Sequence, residues 1–113
     1  SAAESRYNIA YIYYLERDLN TALSICERAN RESAGYDYWI AKSVILMSDI
    51  YAEKGDLLSA KSILEALLDR YKGDPELIQI ARTKKEQLDR QLQSNSRLDA
   101  GRPDNSLELD EGN

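Results

Sequence analysis

The fold follows from the stretch Asp18-Leu19-Asn20-Thr21-Ala22-Leu23-Ser24-Ile25, which recurs later in the chain as Asp56-Leu57-Leu58-Ser59-Ala60-Lys61-Ser62-Ile63. Aligning residues 12–35 with residues 50–73 gives nine identical pairs among 24, and we call this alignment, continued at the same offset to the residues before it, the repeat register. A period of 20–50 residues is typical of repeat proteins, in which each unit buries its apolar face against its neighbours. The repeat therefore predicts a stacked architecture and favours a binding scaffold, without identifying its partner.

Composition argues against several classes of function. The 113 residues fit one domain with a net charge of −5, from 15 basic and 20 acidic side chains. Nucleic-acid binding normally requires a basic surface, so we predict none. The chain has no histidine, so it lacks the commonest general base, and its one cysteine excludes a Cys-rich metal site. We therefore predict no cofactor, no metal and no enzymatic activity. The longest apolar runs fall short of the roughly 20 residues that span a bilayer, so no membrane span is predicted.

Apolar periodicity and helix-end signals predict an all-α chain of five helices at about 3–16, 18–33, 37–54, 56–72 and 75–93. Asp18 supplies an N-cap, Gly35 can end the second helix, and Asp74-Pro75 is a strong helix start. Apolar residues fill nearly every position from Ile9 to Leu15, so the first helix is expected to have neighbours on more than one side. Residues 1–93 form the predicted helical domain, and residues 94–113 form a predicted acidic, flexible tail.

The two units resemble the tetratricopeptide repeat (TPR) family. Each unit has a small residue midway along its first helix, a tyrosine about one turn later, an acid that opens the second helix, and a small residue within that helix. These positions are Ala10, Tyr13, Asp18 and Ala22 in the first unit, and Ser48, Tyr51, Asp56 and Ala60 in the second. The resemblance implies a right-handed stack of antiparallel helix pairs, with two repeats and a C-terminal capping helix.

Two features depart from the common TPR pattern, and a carboxylate clamp found in some members is absent as well. The offset between the units, from Asp18 to Asp56, is longer than the usual TPR period of about 34 residues, which implies a longer turn or longer helices around positions 33–39. The third unit lacks its second helix. The lysine, asparagine and arginine clamp that some members use to hold a C-terminal carboxylate is absent. The long spacing resembles the extended repeats of TPR proteins of the Gram-negative envelope, which implies a periplasmic or outer-membrane-associated location, with a cytoplasmic one left open.

In TPR proteins the first helix of each unit lines a concave groove that receives a protein or peptide segment. The resemblance places in this groove Tyr7, Tyr11, Tyr14, Lys42, Ile45, Asp49 and Glu53. The three tyrosines follow i, i+4, i+7 spacing and so form one stripe of a helix. They either line the ligand groove or pack against an upstream repeat or a second copy of the chain, and we favour packing.

Three further features are interpreted from the sequence. Tyr38 and Trp39, with Tyr36, form either an exposed aromatic anchor for a partner or a plug that seals the long turn, and the plug is favoured. Cys26 occupies an apolar helical position and is interpreted as a buried hydrophobe. The acidic segment 107–111 is interpreted as a solvated tail rather than a ligand for the groove of a neighbouring copy.

The sequence thus supports two hypotheses. The first is a non-catalytic protein–protein interaction scaffold, the C-terminal part of a longer TPR protein, that binds a partner segment along its concave tyrosine-lined face. The alternative is a self-assembly element that dimerises through the apolar first helix as a homo-oligomer.

Overall fold

The computed structural model describes residues 1–33 and 35–100, and this part of the chain is all-helical. The predicted all-α class is therefore confirmed. The predicted flexible tail lies outside the described residues from residue 101 onward. The elements are α1 (Ala2–Leu15), α2 (Leu19–Glu32), α3 (Tyr38–Glu53), α4 (Leu57–Arg70) and α5 (Pro75–Ala100).

Aspartate side chains set the starts of four of these helices. Each accepts a hydrogen bond from the backbone N–H three residues on, which satisfies one of the amides left unpaired at a helix N-terminus. The carboxylate–nitrogen distances are 3.3 Å for Asp18, 2.9 Å for Asp37, 3.1 Å for Asp56 and 2.9 Å for Asp74. These caps explain why the helix starts agree closely with those predicted from the sequence.

Helix α3 lies at the centre of the structure and packs against α1, α2, α4 and α5, while α4 also packs against α5. Its side chains enter two apolar clusters. The first joins α1, α2 and α3 through Ala10, Ala22, Leu23, Cys26, Leu46, Met47 and Ile50. The second lies mainly among α3, α4 and α5 and includes Ile40, Val44, Ile45, Leu57, Ala60, Leu64, Leu67, Tyr71, Leu77, Ala81 and Leu88.

Small residues lie where paired helices approach most closely. Ala10 and Ala22, on α1 and α2, are fully buried, as is Ala60 on α4. Ser48 on α3 is also buried, and its hydroxyl donates a hydrogen bond of 2.9 Å to the carbonyl oxygen of Ala60. Because a larger side chain would hold the helices apart, these positions set the spacing within each pair.

The turns within the two pairs adopt the same backbone conformation with different residues. Gly55 has a φ of 87°, and Arg17, at the equivalent position of the first unit, has a φ of 67°. A side chain beyond glycine is uncommon in this left-handed region. The Arg17 guanidinium lies 3.0 Å from the Glu53 carboxylate at the end of α3. That ion pair links the turn of the first unit to the second unit.

Helix α2 ends within one residue of its predicted bound but without Gly35 as its cap, and helix α5 runs past its predicted end. Helix α2 ends at Glu32 with Ser33 in an extended conformation, so the helix stops before Gly35. Helix α5 continues to Ala100 rather than ending at residue 93. No glycine or proline occurs between Gln93 and residue 101, and the helical ladder therefore continues although the side chains there are exposed.

Helix α1 packs against α2 and α3, but part of its apolar surface remains uncovered. Ile9, Ile12 and Leu15 are 48%, 55% and 59% exposed. The neighbours predicted for this helix are therefore present on one part of its surface only. Among the described residues, no helix has the length and apolar character needed to cross a membrane.

Candidate functional site

Five aromatic side chains form a continuous row across α1 and α3. Tyr7 stacks on Tyr11 at 6.0 Å between ring centroids, and Tyr11 stacks on Tyr14 at 6.1 Å. Tyr7 also lies 5.9 Å from Trp39, which meets Tyr38 edge-on at 5.1 Å. We call Tyr38, Trp39, Tyr7, Tyr11 and Tyr14 the aromatic row. The tyrosine stripe and the aromatic anchor, predicted as separate features, are thus parts of one surface.

The ammonium group of Lys42 lies over three rings of this row. It is 4.8 Å from the ring centroid of Tyr7, 5.4 Å from that of Trp39 and 5.8 Å from that of Tyr38. All three distances are within the range of cation–π attraction. No carboxylate of the described residues lies within 4.0 Å of this ammonium. Aromatic faces therefore hold this ammonium in place, and within the described residues it forms no ion pair with a carboxylate.

A small cleft of about 170 Å³ lies beside the aromatic row, where α1, α3 and α5 come together. We call this space the cleft. It contains five of the predicted groove residues, together with three apolar residues that were not predicted there. The lining consists of Tyr7, Tyr11, Lys42, Ile45, Leu46, Asp49, Leu77 and Ile80.

An ion pair joins Asp49, in the lining of the cleft, to helix α5. The Lys84 ammonium on α5 lies 3.0 Å and 3.3 Å from the two carboxylate oxygens of Asp49 on α3. Burial raises the pKa of the Asp49 carboxyl above its ordinary value, and the charge and hydrogen bond of Lys84 oppose that rise. The pair therefore joins α5 to α3 and neutralises the one acidic side chain in the lining.

We expect Lys84→Met to raise the pKa of Asp49 further, because the substitution removes the cation that opposes the effect of burial. A carboxyl whose folded-state pKa is raised contributes stability that is fully present below its unfolded pKa, about 3.9, and is lost as the pH rises through the folded pKa. The variant should therefore lose more stability than the wild type between acidic and neutral pH. NMR titration of the Asp49 carboxyl measures the pKa, and urea unfolding at an acidic and at a neutral pH measures the change in stability. Lys61→Met, which breaks a 2.9 Å pair with Asp89 instead, should leave the pKa of Asp49 unchanged.

The two predicted groove residues outside the lining are Tyr14 and Glu53, and within the lining Ile45 lies at the base. Tyr14 continues the aromatic row past the cleft, and burial raises its pKa, with a smaller effect from the Asp49 and Glu53 carboxylates. Glu53 is exposed and pairs with Arg17, so it borders the surface without lining the cleft. Ile45 is almost fully buried in the second cluster and forms the floor.

Helix α5 supplies two of the three lining residues that sequence reasoning missed, and Leu46 on α3 is the third. Leu77 and Ile80 line the cleft, and a shallower depression continues from Ile80 along α5 past Gln79, Thr83 and Gln87. The repeat alone could not assign these positions, because its second copy ends at residue 73, before α5 begins. One signal was present: Lys84 interrupts the apolar stripe of α5, and a charge in such a slot indicates an acidic partner on the neighbouring helix.

The aromatic residues near the turn between α2 and α3 lie in two different environments. Tyr36 is partly buried against the second apolar cluster, which is the packing predicted for a plug. Trp39 is half-buried against Tyr7 instead, and Tyr38 is 41% exposed. The plug interpretation therefore applies to Tyr36, while Tyr38 and Trp39 belong to the aromatic row.

Cys26 is 1% exposed, and burial raises the pKa of its thiol to about 12, with a further contribution from the Glu27 carboxylate. The predicted burial of Cys26 is confirmed, and its thiol remains protonated at neutral pH. Within the described residues, no three His, Cys, Asp or Glu side chains are grouped so that they could hold a metal ion. The cleft offers aromatic and aliphatic surface together with the Lys42 cation, which forms no ion pair within the described residues, and such a surface suits recognition of a segment.

No protein-family model, curated protein or solved structure matches this chain. Its function is therefore inferred from the geometry of the cleft and the aromatic row.

Proposed function

We propose that this chain is a non-catalytic interaction scaffold of the TPR type that binds an extended segment of a partner protein along the aromatic row and the cleft. The observation that carries the proposal is the meeting of α1, α3 and α5 at one cleft beside five aromatic rings. These three are the first helices of the successive units. Tyrosine and tryptophan are enriched where proteins bind one another, because they bury large rings at small entropic cost.

The packing order supports a TPR-type stack of antiparallel helix pairs. Each short turn, 16–18 and 54–56, joins two helices that pack together, and α2 and α4 each also pack against the first helix of the next unit. Short connections between packed helices are typical of antiparallel neighbours. The buried small residues Ala10, Ala22, Ser48 and Ala60 occupy the positions where such a pair requires close approach.

The side chains of the cleft favour a partner segment that carries an apolar residue next to an acidic one. Leu46, Leu77 and Ile80 offer aliphatic surface for the apolar side chain. Asp49 and Lys84 neutralise each other, so Lys42 leaves this site with a local charge of +1 within a chain of net charge −5. A carboxylate that approached Lys42 would gain a charge-assisted contact while keeping the cation over its rings.

The test is to select binders from a random peptide library with the wild-type protein and to measure their affinity for two variants. Tyr11→Ala removes the central ring of the stripe, which is 41% exposed and outside both apolar clusters, so the fold should be retained. We expect Tyr11→Ala to weaken the selected peptides about tenfold or more, as loss of an aromatic contact at an interface does. Lys42→Met should weaken peptides with an acidic residue and leave their Asn or Gln versions unaffected.

Leu58→Ala is the matched control, because Leu58 is the most exposed large apolar residue of α4 and lies away from the cleft. Peptide affinity should not change in this variant. Amide chemical shifts of the wild type should move at Tyr7, Lys42 and Ile80 when a peptide is added. Selected peptides that bind Tyr11→Ala as tightly as the wild type would show that the row is not the binding surface.

A further inference from the structure

One face of α1 is exposed, carries two isoleucines and is separate from the aromatic row. We call Ser5, Asn8, Ile9 and Ile12 the outer face of α1. At about 100° per residue these positions lie on the side of the helix opposite Tyr7, Tyr11 and Tyr14. All four are exposed, including both isoleucines. The cleft therefore does not use this face, and the two surfaces can be tested separately.

The internal repeat shows what covers the corresponding face of α3. The repeat register pairs Ile9 with Met47 and Ile12 with Ile50, and it pairs Ser5 and Asn8 with Ser43 and Leu46. Exposure falls from 48% at Ile9 to 9% at Met47, and from 55% at Ile12 to 0% at Ile50. Leu46, Met47 and Ile50 share an apolar cluster with Leu23 and Cys26 of α2, which packs against α3. In the second unit, these positions of α3 are thus buried where α2 packs on them. In the first unit, the equivalent positions of α1 are exposed.

We propose that the outer face of α1 binds one amphipathic helix from outside the described residues. This helix resembles α2 in its apolar stripe, and it packs on α1 in the way that α2 packs on α3. The argument is one of continuity, because the outer face repeats, one unit earlier, an interface that the structure already contains. The two isoleucines supply the apolar surface, and the smaller Ser5 repeats the small buried Ser43. Burial of both isoleucines is favourable because it removes apolar area from water.

The end of α1 specifies the polar chemistry of the incoming helix. In the interface between the units, Arg17 pairs with Glu53, and the Lys54 ammonium donates to the side chain of Asn20 in the first turn of α2. The repeat register places Leu15 where α3 has Glu53, and Glu16 where α3 has Lys54. The incoming helix should therefore carry a basic residue in its first turn, opposite Glu16, and an apolar residue just before that turn, opposite Leu15.

Among its described residues, a second copy of this chain offers the outer face of its own α1, but no helix like α2 or α4 whose apolar stripe is uncovered. The apolar stripe of α2, with Leu23 and Cys26, already packs on α3. The stripe of α4, with Leu64 and Leu67, lies in the cluster that includes residues of α5. The occupant is therefore expected to be a further helical unit, and the unmodified chain is expected to be monomeric.

The test uses an extended chain in which the segment 1–38 is repeated once ahead of Ser1. Ser1 aligns with Trp39, so the added copy of α2 should stand on α1 in the register that α2 has on α3. Ile12→Cys in the original unit reports exposure through its rate of reaction with a thiol reagent, and the native Cys26 is 1% exposed. We expect the labelling rate to fall about tenfold or more in the extended chain relative to the unextended one, because reaction then requires the interface to open.

Leu58→Cys is the matched control, since Leu58 is 68% exposed and should react equally fast in both chains. In a second measurement, the Asn20 of the added segment is changed to lysine, which should then lie opposite Glu16 of the original unit. This change should raise the Tm of the extended chain, and the increase should disappear when Glu16→Gln is also present. An unchanged labelling rate at Ile12→Cys in a folded extended chain would overturn the proposal. The proposal would also be overturned if the unextended chain formed a dimer at tens of micromolar, seen by light scattering, and this dimer protected the thiol of Ile12→Cys. Peptide binding at the cleft does not enter either readout.

Discussion

Ala60→Leu is expected to destabilise the protein by about 3 kcal/mol, the upper part of the range for overpacking a buried site. Ala60 is fully buried, and its carbonyl oxygen accepts the hydrogen bond of the buried Ser48 hydroxyl. A leucine there would push α4 away from α3 and lengthen that hydrogen bond, which by itself is worth about 1 kcal/mol. Urea unfolding followed by circular dichroism measures the change in the free energy of unfolding.

Ala66→Leu provides the control within the same helix. Ala66 is exposed, so the same chemical change should alter the free energy of unfolding by less than about 0.5 kcal/mol. If both substitutions had equal effects, the cost would come from helix α4 itself rather than from its close approach to α3. Equal effects would also remove the main structural support for treating α3 and α4 as a tightly spaced pair.

Tyr71→Ala is expected to have a still larger effect, about 3–5 kcal/mol, as for other large buried side chains truncated to alanine. Tyr71 is 5% exposed in the cluster shared by α3, α4 and α5. Its hydroxyl oxygen accepts a 2.8 Å hydrogen bond from the Asp74 N–H, and the Asp74 carboxylate caps α5 through the Leu77 N–H. Gly73 permits this arrangement, because a Cβ there would lie 2.6 Å from the Tyr71 hydroxyl oxygen.

The loss of Tyr71 should also affect the cleft, because this junction sets where α5 begins. Leu77 and Ile80 form the α5 side of the cleft and follow the capped turn directly. Tyr71→Phe keeps the ring and removes the hydroxyl, so it should cost only about 1 kcal/mol. Thermal unfolding distinguishes the two variants. A loss from Tyr71→Ala no larger than that from Tyr71→Phe would mean that the hydroxyl, rather than ring packing, anchors α5.

Local chemistry made most of the fold predictable. Asp18, Asp56 and Asp74 are strong N-cap residues, and Gly55 favours the left-handed turn that precedes the second of them. These signals depend on a few neighbouring residues, so the sequence is sufficient to locate them. Arg17 shows the limit of such reasoning. It adopts the left-handed conformation without being glycine, since the packing of α1 on α2 fixes the turn whichever residue occupies it.

The candidate site was less predictable, because its contacts join helices far apart in sequence. Spacing alone gives the stripe of Tyr7, Tyr11 and Tyr14. The meeting of Tyr7 with Trp39 depends on how α1 crosses α3, and the pairing of Asp49 with Lys84 depends on where α5 lies. Periodicity identifies which face of a helix is apolar, but not which neighbour that face will contact. For the same reason the sequence could not show that Ile9 and Ile12 would remain exposed.

The last part of α5 has a consequence for proteolysis and hydrogen exchange. From Gln93 to Leu98 every side chain is exposed, so this stretch is helical without a tertiary surface to support it. Isolated helical turns are only marginally stable in water, and their amides open far more often than those of a packed core. Amide protons should therefore exchange fastest at this end of α5 and slowest around Ile50 and Leu64. A protease should first cut the described part of the chain beyond Leu92, leaving the packed helices intact.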